Sequence, residues 1–342
     1  MRTETRLFSG RDAVLYSALI SAVIVLFVAS LAVGRFHVPL KEAARILASR
    51  IVPLERTWTP QMENVVIRVR LPRLLGALIV GGALSLSGAA YQGVFRNPLV
   101  SPDLLGVSSG ACVGASAAIL MHWGAFAIQA SAFVMGLVSV AVASSIPGFF
   151  RNNTTPMLVL SGVIVSGFMT SLQGLLKYFA DPLDELPSIV YWAMGSLGSV
   201  RAGEIKTVGF VIAAIMVAVV MIRWRINLLA LGDSEAKSLG VNVKRLRSAI
   251  VLCATLMTAG AVCISGTIGW IGLVIPHLGR IIAGHDNKRL IPVSILLGAA
   301  FTVAVDTCAR NLTSSEIPLS ILTGIIGTPM FVWLLFAQKT AI

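Results

Sequence analysis

Residues 74–95, LLGALIVGGALSLSGAAYQGVF, form the stretch that decides the fold. They contain no charged side chain, and their length fits the roughly 20 residues that an α-helix needs to cross the ~30 Å hydrocarbon core of a bilayer. A backbone in lipid must satisfy its own hydrogen bonds, and the stretch lacks the alternation typical of a barrel strand. It therefore predicts a membrane-spanning helix.

Comparable apolar runs follow one another along the chain. Together they predict about ten transmembrane helices, near 13–34, 74–95, 104–122, 124–148, 157–178, 203–222, 248–268, 270–284, 290–308 and 317–337. The eighth run is short, and the third is rich in Gly and Ser. The expected fold class is an all-α integral membrane protein, with residues 1–342 forming a single transmembrane domain.

The composition of the whole chain agrees with a lipid environment. Hydrophobic residues make up 56% of the chain, charged residues 12%, and the mean hydropathy is +0.87. A soluble domain carries about 25% charged residues, and disordered chains are poor in apolar residues. Four cysteines in 342 residues are too few for a disulfide scaffold. All three classes of protein are excluded.

The net charge of +12 could indicate a nucleic-acid partner, but the basic residues lie between apolar runs rather than in a basic stripe. The positive-inside rule explains them better. With both termini in the cytoplasm, 15 of the 27 basic residues lie inside, and 8 of the other 12 lie in one outer segment, 35–73. We expect no nucleic-acid partner, and the basic outer segment needs a separate explanation.

The two halves of the chain show a weak internal symmetry. The helices at 74–95 and 248–268 each follow a basic segment, become rich in Gly toward their ends and precede a proline-broken stretch, at 96–99 and 274–277. Five crossings separate the two helices, so they run in opposite directions. This pattern predicts an inverted internal repeat, which often places the substrate path at the repeat interface.

Residues that carry chemistry are sparse. The sequence has no GxxxxGK[ST] phosphate loop, no HExxH and no CxxC, so we expect no ATPase site of its own, no metal site and no cofactor. Asp306 is an acidic residue within a predicted span, near its outer end. It either pairs with Arg310 on the same helix face or couples transport to an ion. An ion-coupled secondary carrier is therefore an alternative function.

The largest predicted inner loop, residues 223–247, contains a short capped helix. The helix starts within Leu231-Gly232-Asp233-Ser234-Glu235-Ala236, with Asp233 or Ser234 as the N-cap, and it ends at Leu239-Gly240. Such a helix beneath a membrane bundle is either an interfacial anchor or a lever for a cytosolic partner. These residues alone leave both possibilities open.

Several motifs stand in a fixed order along the chain. They are Arg70-Leu71-Pro72-Arg73, Arg96-Asn97-Pro98-Leu99, Leu105-Gly106-Val107-Ser108-Ser109-Gly110-Ala111, Leu239-Gly240-Val241, Gly269-Trp270-Ile271-Gly272-Leu273-Val274-Ile275-Pro276-His277 and Glu316-Ile317-Pro318. In order and spacing they resemble the FecCD-type permeases of ABC importers, which include permeases for vitamin B12, ferric siderophores and haem. The resemblance covers nearly the whole chain beyond residue 60.

The resemblance implies a permease of the bacterial inner membrane that pairs with a second copy or with a paralogous permease. It also implies two cytoplasmic ABC ATPase subunits and one periplasmic or surface substrate-binding protein. The intact cargo would be moved by ATP hydrolysis in the separate ATPase. A ferric siderophore is the expected cargo, with haem, cobalamin and molybdate as alternatives.

The resemblance also implies roles for particular residues. The coupling segment of the family matches Ala230 to Gly240, which would dock in a groove of the ATPase. The outer-face arginines that receive acidic residues of the binding protein match Arg70, Arg73 and Arg310. Bidentate arginine–carboxylate pairs suit such docking, and this role would explain the basic outer segment.

The cytoplasmic gate of the family matches Asn97, Pro98 and Leu99, together with Thr154 and Thr155 in the next inner loop. The sequence departs from the family pattern at Val100, where a small Ala is common. The larger side chain at this position would narrow the gate slightly.

Overall fold

The computed structural model describes residues 10–150 and 154–339, and every regular element in these ranges is helical. The helices are α1 (Gly10–Ala32), α2 (Leu40–Ala48), α3 (Pro60–Asn64), α4 (Leu71–Phe95), α5 (Val107–Leu120), α6 (Ala125–Phe149), α7 (Thr155–Phe179), α8 (Glu185–Met194), α9 (Ala202–Glu204), α10 (Phe210–Leu231), α11 (Asp233–Ser238), α12 (Val243–Ser265), α13 (Ile271–Ala283), α14 (Asn287–Ala309) and α15 (Leu319–Lys339). Short π-helical segments join α3 to α4 and α9 to α10.

The all-α membrane fold predicted from the sequence is confirmed. Within the described ranges, seven helices are long and apolar enough to cross a membrane, and α5, α13 and α15 are shorter apolar helices. Each of the predicted apolar runs coincides with one of these elements. Arg2, Arg6 and Arg151, three of the basic residues counted on the inner side by the predicted topology, lie outside the described residues.

The fourth helix begins earlier than its apolar run. Helix runs without interruption from Pro60 to Phe95, whereas the sequence prediction assigns the residues before 74 to the outer segment. Thr59 caps this helix by accepting a hydrogen bond from the Met62 amide at 3.3 Å. The prediction placed the start too late because the charged residues at 68–73 end the hydropathy signal but not the helix.

The predicted inner loop 223–247 is shorter than expected for the same reason. α10 continues to Leu231 and α12 already begins at Val243, so the non-spanning part is the connection that contains α11. Ile226 and Leu229 are buried three residues apart on one face of α10, as in an amphipathic helix. The basic residues at 223 and 225 interrupt the hydropathy of this helix without ending it.

α4 lies at the centre of the bundle. In its most apolar window 83% of the residues are buried, compared with 11% for α1, and α4 packs against α10, α12, α13 and α14. Glycines allow this close approach, because a Cβ at Gly88 would collide with the Gly272 carbonyl and one at Gly81 with the Gly298 carbonyl. Small residues serve in this way where helices pack in lipid.

Both α4 and α12 are followed by an irregular stretch and then a short apolar helix, α5 and α13. The inverted repeat predicted from the sequence stays a prediction, and this shared order is the feature of the structure that bears on it. α6, α7 and α10 are largely unburied in their apolar windows, so their outer faces are suited to contact with lipid.

Candidate functional site

The connection between α10 and α12 holds α11 at the end of the bundle where α4 ends. α11 follows Gly232 (φ 132°) and precedes Gly240 (φ 79°), and both backbone conformations favour glycine. Ala236 is fully buried and fixes one face of α11, whereas Leu231 and Leu239 are 60% and 61% exposed. Exposed leucines beside a short polar helix form a surface suited to a protein partner.

The start of α11 differs from the prediction that Asp233 or Ser234 is the N-cap. Gly232 occupies that position, and no side chain caps the helix. Asp233 Oδ1 instead accepts hydrogen bonds from Arg247 Nη2 at 2.8 Å and from Arg96 Nη2 at 3.4 Å. The two arginines come from α12 and from the end of α4, so a local capping motif could not reveal them. They tie α11 to two helices of the bundle.

Glu235 adds a second acidic group to the first turn of α11. Ser234 Oγ donates to Glu235 Oε2 at 2.8 Å. Hydrogen bonds from its own backbone amide and from Ser234 lower the pKa of the Glu235 carboxyl. The exposed carboxylate is therefore ionised at neutral pH. Its negative charge interacts favourably with the positive, N-terminal end of the α11 dipole.

The predicted gate segment at residues 97–99 directly follows α4. Arg96 has φ 52° and ends the helix, and Asn97 Oδ1 then accepts a hydrogen bond from the Leu99 amide at 2.9 Å. Asn97, Pro98 and Leu99 are all exposed. Because Arg96 also contacts Asp233, this segment is linked to α11 through a salt bridge.

Thr154 and Thr155, the other predicted gate residues, lie at the start of α7. They line a cavity of about 710 Å³ between α6, α7, α11 and α12, whose lining also includes Asp233 and Lys237. Residues 97–99 are not among the residues that line it. The structure thus places both gate segments beside α11, but not around a common cavity.

Arg280 is a half-buried cation near the predicted gate that the sequence patterns did not reveal. Its Nη2 donates to Gln92 Oε1 at 2.5 Å, and Gln92 Nε2 donates to the Val100 carbonyl at 3.1 Å. This chain of hydrogen bonds connects α13 to the residue that follows the gate segment. The sequence feature that could have identified Arg280 is its position, three residues after His277 at the end of a short apolar run.

At the opposite end of α4, two predicted docking arginines bind the C-terminus of α1. Arg70 Nη1 donates to the carbonyls of Leu31 at 2.5 Å and Ala32 at 3.0 Å, and Arg310 Nη2 donates to the Ser30 carbonyl at 2.6 Å. The last carbonyls of a helix have no partner within the helix, and cations stabilise them. Both arginines therefore donate hydrogen bonds to the free carbonyl groups at the end of α1.

Arg73, the third predicted docking residue, is the centre of a buried ion cluster. Its Nε lies 3.0 Å from both carboxylate oxygens of Asp306, its Nη2 lies 2.9 Å from Asp306 Oδ1, and its Nη1 lies 2.7 Å from Glu316 Oε1. Asp306 is fully buried and Glu316 is 31% exposed. The cluster joins the start of α4 to the end of α14 and to the connection that precedes α15.

This arrangement bears on two sequence-based interpretations, of which the docking role of the three arginines stays a prediction. Arg70, Arg73 and Arg310 are 4%, 5% and 7% exposed, so their guanidinium groups bind acceptors of their own chain rather than face outward. The pair with Arg310, one of the two alternatives for Asp306, is not formed, because Asp306 pairs with Arg73. The motif placed the arginines at the right end of the bundle, but spacing cannot show that neighbouring helices cover them.

Comparison with known proteins places these features in context. A profile of the FecCD transport family matches residues 22–337. The chain is similar to the molybdate import system permease protein MolB of Haemophilus influenzae, with 38% identity over 91% of this chain and 92% of that protein. A Helicobacter pylori protein named "Probable iron chelatin transport system permease protein" is 40% identical over 81% of this chain and 84% of its own length.

A solved structure also matches nearly the whole chain. It is that of a transporter described as of the metal-chelate ABC type, in an inward-facing conformation. The TM-score is 0.84 at 36% sequence identity, and the match covers 94% of this chain and 99% of the other. The helical arrangement described above is therefore shared along almost the full length of both chains.

Proposed function

The chain belongs to the FecCD transport family, and from this premise we propose how its parts work and which cargo it carries. It is the permease of an ABC importer and a multi-pass protein of the inner membrane. Permeases of this family act with an ABC ATPase and a substrate-binding protein, and they lack an ATPase site of their own. We propose further that residues 1–342 form one permease domain, paired with a second copy or with a paralogous permease.

α11 is the proposed contact with the ATPase. Its support is the pair of exposed leucines at 231 and 239 on either side of a helix anchored by buried Ala236. The salt bridges of Asp233 to Arg96 and Arg247 would carry a displacement of α11 into α4 and α12. We propose accordingly that α11 and both termini lie on the cytoplasmic side, as the positive-inside rule predicts.

The gate is proposed to lie at the same end of the bundle, at Asn97, Pro98 and Leu99 and at Thr154 and Thr155. Its support is the closeness of both segments to α11, through the Arg96–Asp233 salt bridge and the cavity beside Thr155. A shift of α11 on ATP binding would then reach the gate directly. Alternating access requires an element with two arrangements of this kind.

Ferric siderophores are the proposed cargo. The observation that carries this proposal is the 40% identity to the iron chelatin permease of Helicobacter pylori. We expect that deleting this gene abolishes uptake of ⁵⁵Fe-siderophore by iron-starved cells, and that a plasmid copy restores it. Haem and cobalamin uptake, measured in parallel, should be unchanged. Unaltered siderophore uptake in the deletion strain would refute this cargo.

Molybdate is the second candidate, because the similarity to the Haemophilus influenzae molybdate permease covers 91% of this chain. The same deletion strain distinguishes the two cargoes. Loss of ⁹⁹Mo-molybdate uptake with normal siderophore uptake would assign the oxyanion. The function as an importer would stand and only the cargo would change.

The outer docking surface needs residues other than the three buried arginines. We propose that the exposed basic side chains of the outer segment take this role, and that Lys41 and Arg68 contribute because neither makes an ion pair with a described residue. Exposed charges of this kind steer a partner of opposite charge and act mainly on the association rate.

Reversal of both charges, Lys41→Glu with Arg68→Glu, should slow association of the substrate-binding protein by about tenfold at low salt. The difference from wild type should shrink as salt is raised, because exposed charges are screened. Association is measured by surface plasmon resonance on the permease in nanodiscs. Lys244→Glu with Arg245→Glu, at the α11 end, is the matched control. An equal effect of both double variants would remove the docking role.

A further inference from the structure

The cavity beside α11 has all its charged lining residues at one end. On α12 its lining runs from Val243 to Thr255, a distance of roughly 18 Å along a helix axis. Its deeper walls include the apolar residues Leu137, Val140 and Val251. The hydroxyl of Thr255 at the far end is already hydrogen-bonded to Tyr91 at 3.0 Å. The charged residues of the lining are confined to the end at α11.

The charge at that end is positive. Lys237, Lys244 and Arg247 line the cavity with a single acidic residue, Asp233. Asp233 is already bound by Arg247 and by Arg96, whereas neither lysine makes an ion pair with a described residue. Two exposed ammonium groups therefore stand without a carboxylate at the mouth of an apolar slot.

Arg247 shows an unmet hydrogen-bonding group at the same place. Its Nη2 binds Asp233, but its Nε is buried and has no partner within the described part of the chain. A buried donor without an acceptor costs free energy. An anionic ligand at the mouth, with a small shift of the guanidinium, would supply one.

We propose that this cavity binds one anionic phospholipid of the phosphatidylglycerol type, with the phosphate at Lys237, Lys244 and Arg247 and an acyl chain between α6 and α12. Basic pockets between membrane helices at the cytoplasmic face bind lipid phosphates. Val138 and Val142 directly follow the lining residues Leu137 and Ala141 on α6 and are exposed, so apolar surface adjoins the slot.

The shape of the cavity favours a lipid over two other occupants. A side chain of a docked protein would fill only the mouth, because the slot is far deeper than one side chain is long. A hydrophilic cargo would leave its polar groups unpaired against Leu137, Val140 and Val251, which is costly. An amphipathic molecule matches both ends.

The test is binding of phosphatidylglycerol and of phosphatidylcholine with the same acyl chains to the detergent-purified full chain, measured by native mass spectrometry. We expect phosphatidylglycerol to bind more tightly than phosphatidylcholine. Lys237→Gln with Lys244→Gln should weaken its binding about 30-fold, the effect expected from two lysines near the headgroup. Lys206→Gln with Lys288→Gln, two exposed lysines away from the cavity, should bind it as wild type does.

A second variant tests the slot itself. Ala141 lines the cavity, and Ala141→Trp should exclude the acyl chain and weaken binding of phosphatidylglycerol while the basic mouth is unchanged. Equal binding of the two lipids by wild type, or no effect of the lysine substitutions, would overturn the proposal. Tighter binding of glycerol 3-phosphate than of phosphatidylglycerol, lost in the same lysine variant, would overturn it as well, since it would assign the mouth to a free phosphate. The readout is lipid binding and does not depend on the cargo proposed above.

Discussion

Replacing Arg73 by Leu should lower the free energy of unfolding by about 3–5 kcal/mol, because removal of one partner leaves a buried charge without compensation. Asp306 is fully buried, and Arg73 approaches both of its carboxylate oxygens. The measurement is unfolding in mixed detergent micelles, followed by circular dichroism. The amount of protein in the membrane should fall in parallel.

An exposed arginine provides the matched control. Arg50 forms a salt bridge of 2.8 Å with Glu63, but its side chain is 55% exposed. Arg50→Leu should therefore change the free energy of unfolding by less than about 1 kcal/mol. Equal losses for the two variants would contradict the assignment of the Arg73 cluster as a buried, stabilising network.

The double variant Arg73→Leu with Asp306→Leu separates structure from ion coupling. Apolar replacement of both members of a buried pair is often close to neutral for stability, so the double variant should recover most of the loss. Glu316, which also pairs with Arg73, is 31% exposed and retains access to water. If Asp306 coupled transport to an ion, uptake would remain absent despite recovered stability. We expect uptake to recover with stability and to require the ATPase.

Replacing Leu239 by Glu should reduce uptake by at least about tenfold while the amount and stability of the protein stay unchanged. Leu239 is 61% exposed on the surface beside α11, so the folded permease tolerates a charge there. At the proposed contact with the ATPase, the new carboxylate would be buried without a partner of opposite charge. A loss of about 2 kcal/mol or more of binding free energy at this contact would account for the reduced uptake. Transport into proteoliposomes and ATP hydrolysis are measured on the same preparation.

Leu312→Glu is the control for this prediction. Leu312 is 62% exposed in the connection between α14 and α15, at the opposite end of the bundle, so the same chemical change should leave uptake near the wild-type level. Uptake that survives Leu239→Glu would show that α11 does not transmit the action of the ATPase. Gly240→Ala is a weaker variant, because φ of 79° costs an L-residue roughly 1–2 kcal/mol.

The class of protein could be predicted from the sequence because hydropathy is local. A run such as 74–95 is apolar whatever surrounds it, so the spanning helices and their order follow from the residues themselves. The motif around Leu239-Gly240 located α11 in the same way, since a glycine that needs a positive φ marks the end of a helix. The boundaries near Pro60 and Leu231 were missed because charge ends the hydropathy signal before it ends the helix.

Only the tertiary structure determines the contacts between distant parts of the chain. Asp306 pairs with Arg73, 233 positions away, rather than with Arg310 four positions on, because the packing of α14 on α4 brings those two side chains together in the interior. Arg70 and Arg310 are buried because the last turn of α1 covers them and offers its free carbonyls. Spacing along one helix limits which side chains can meet, but burial and the choice of partner depend on which helix packs opposite.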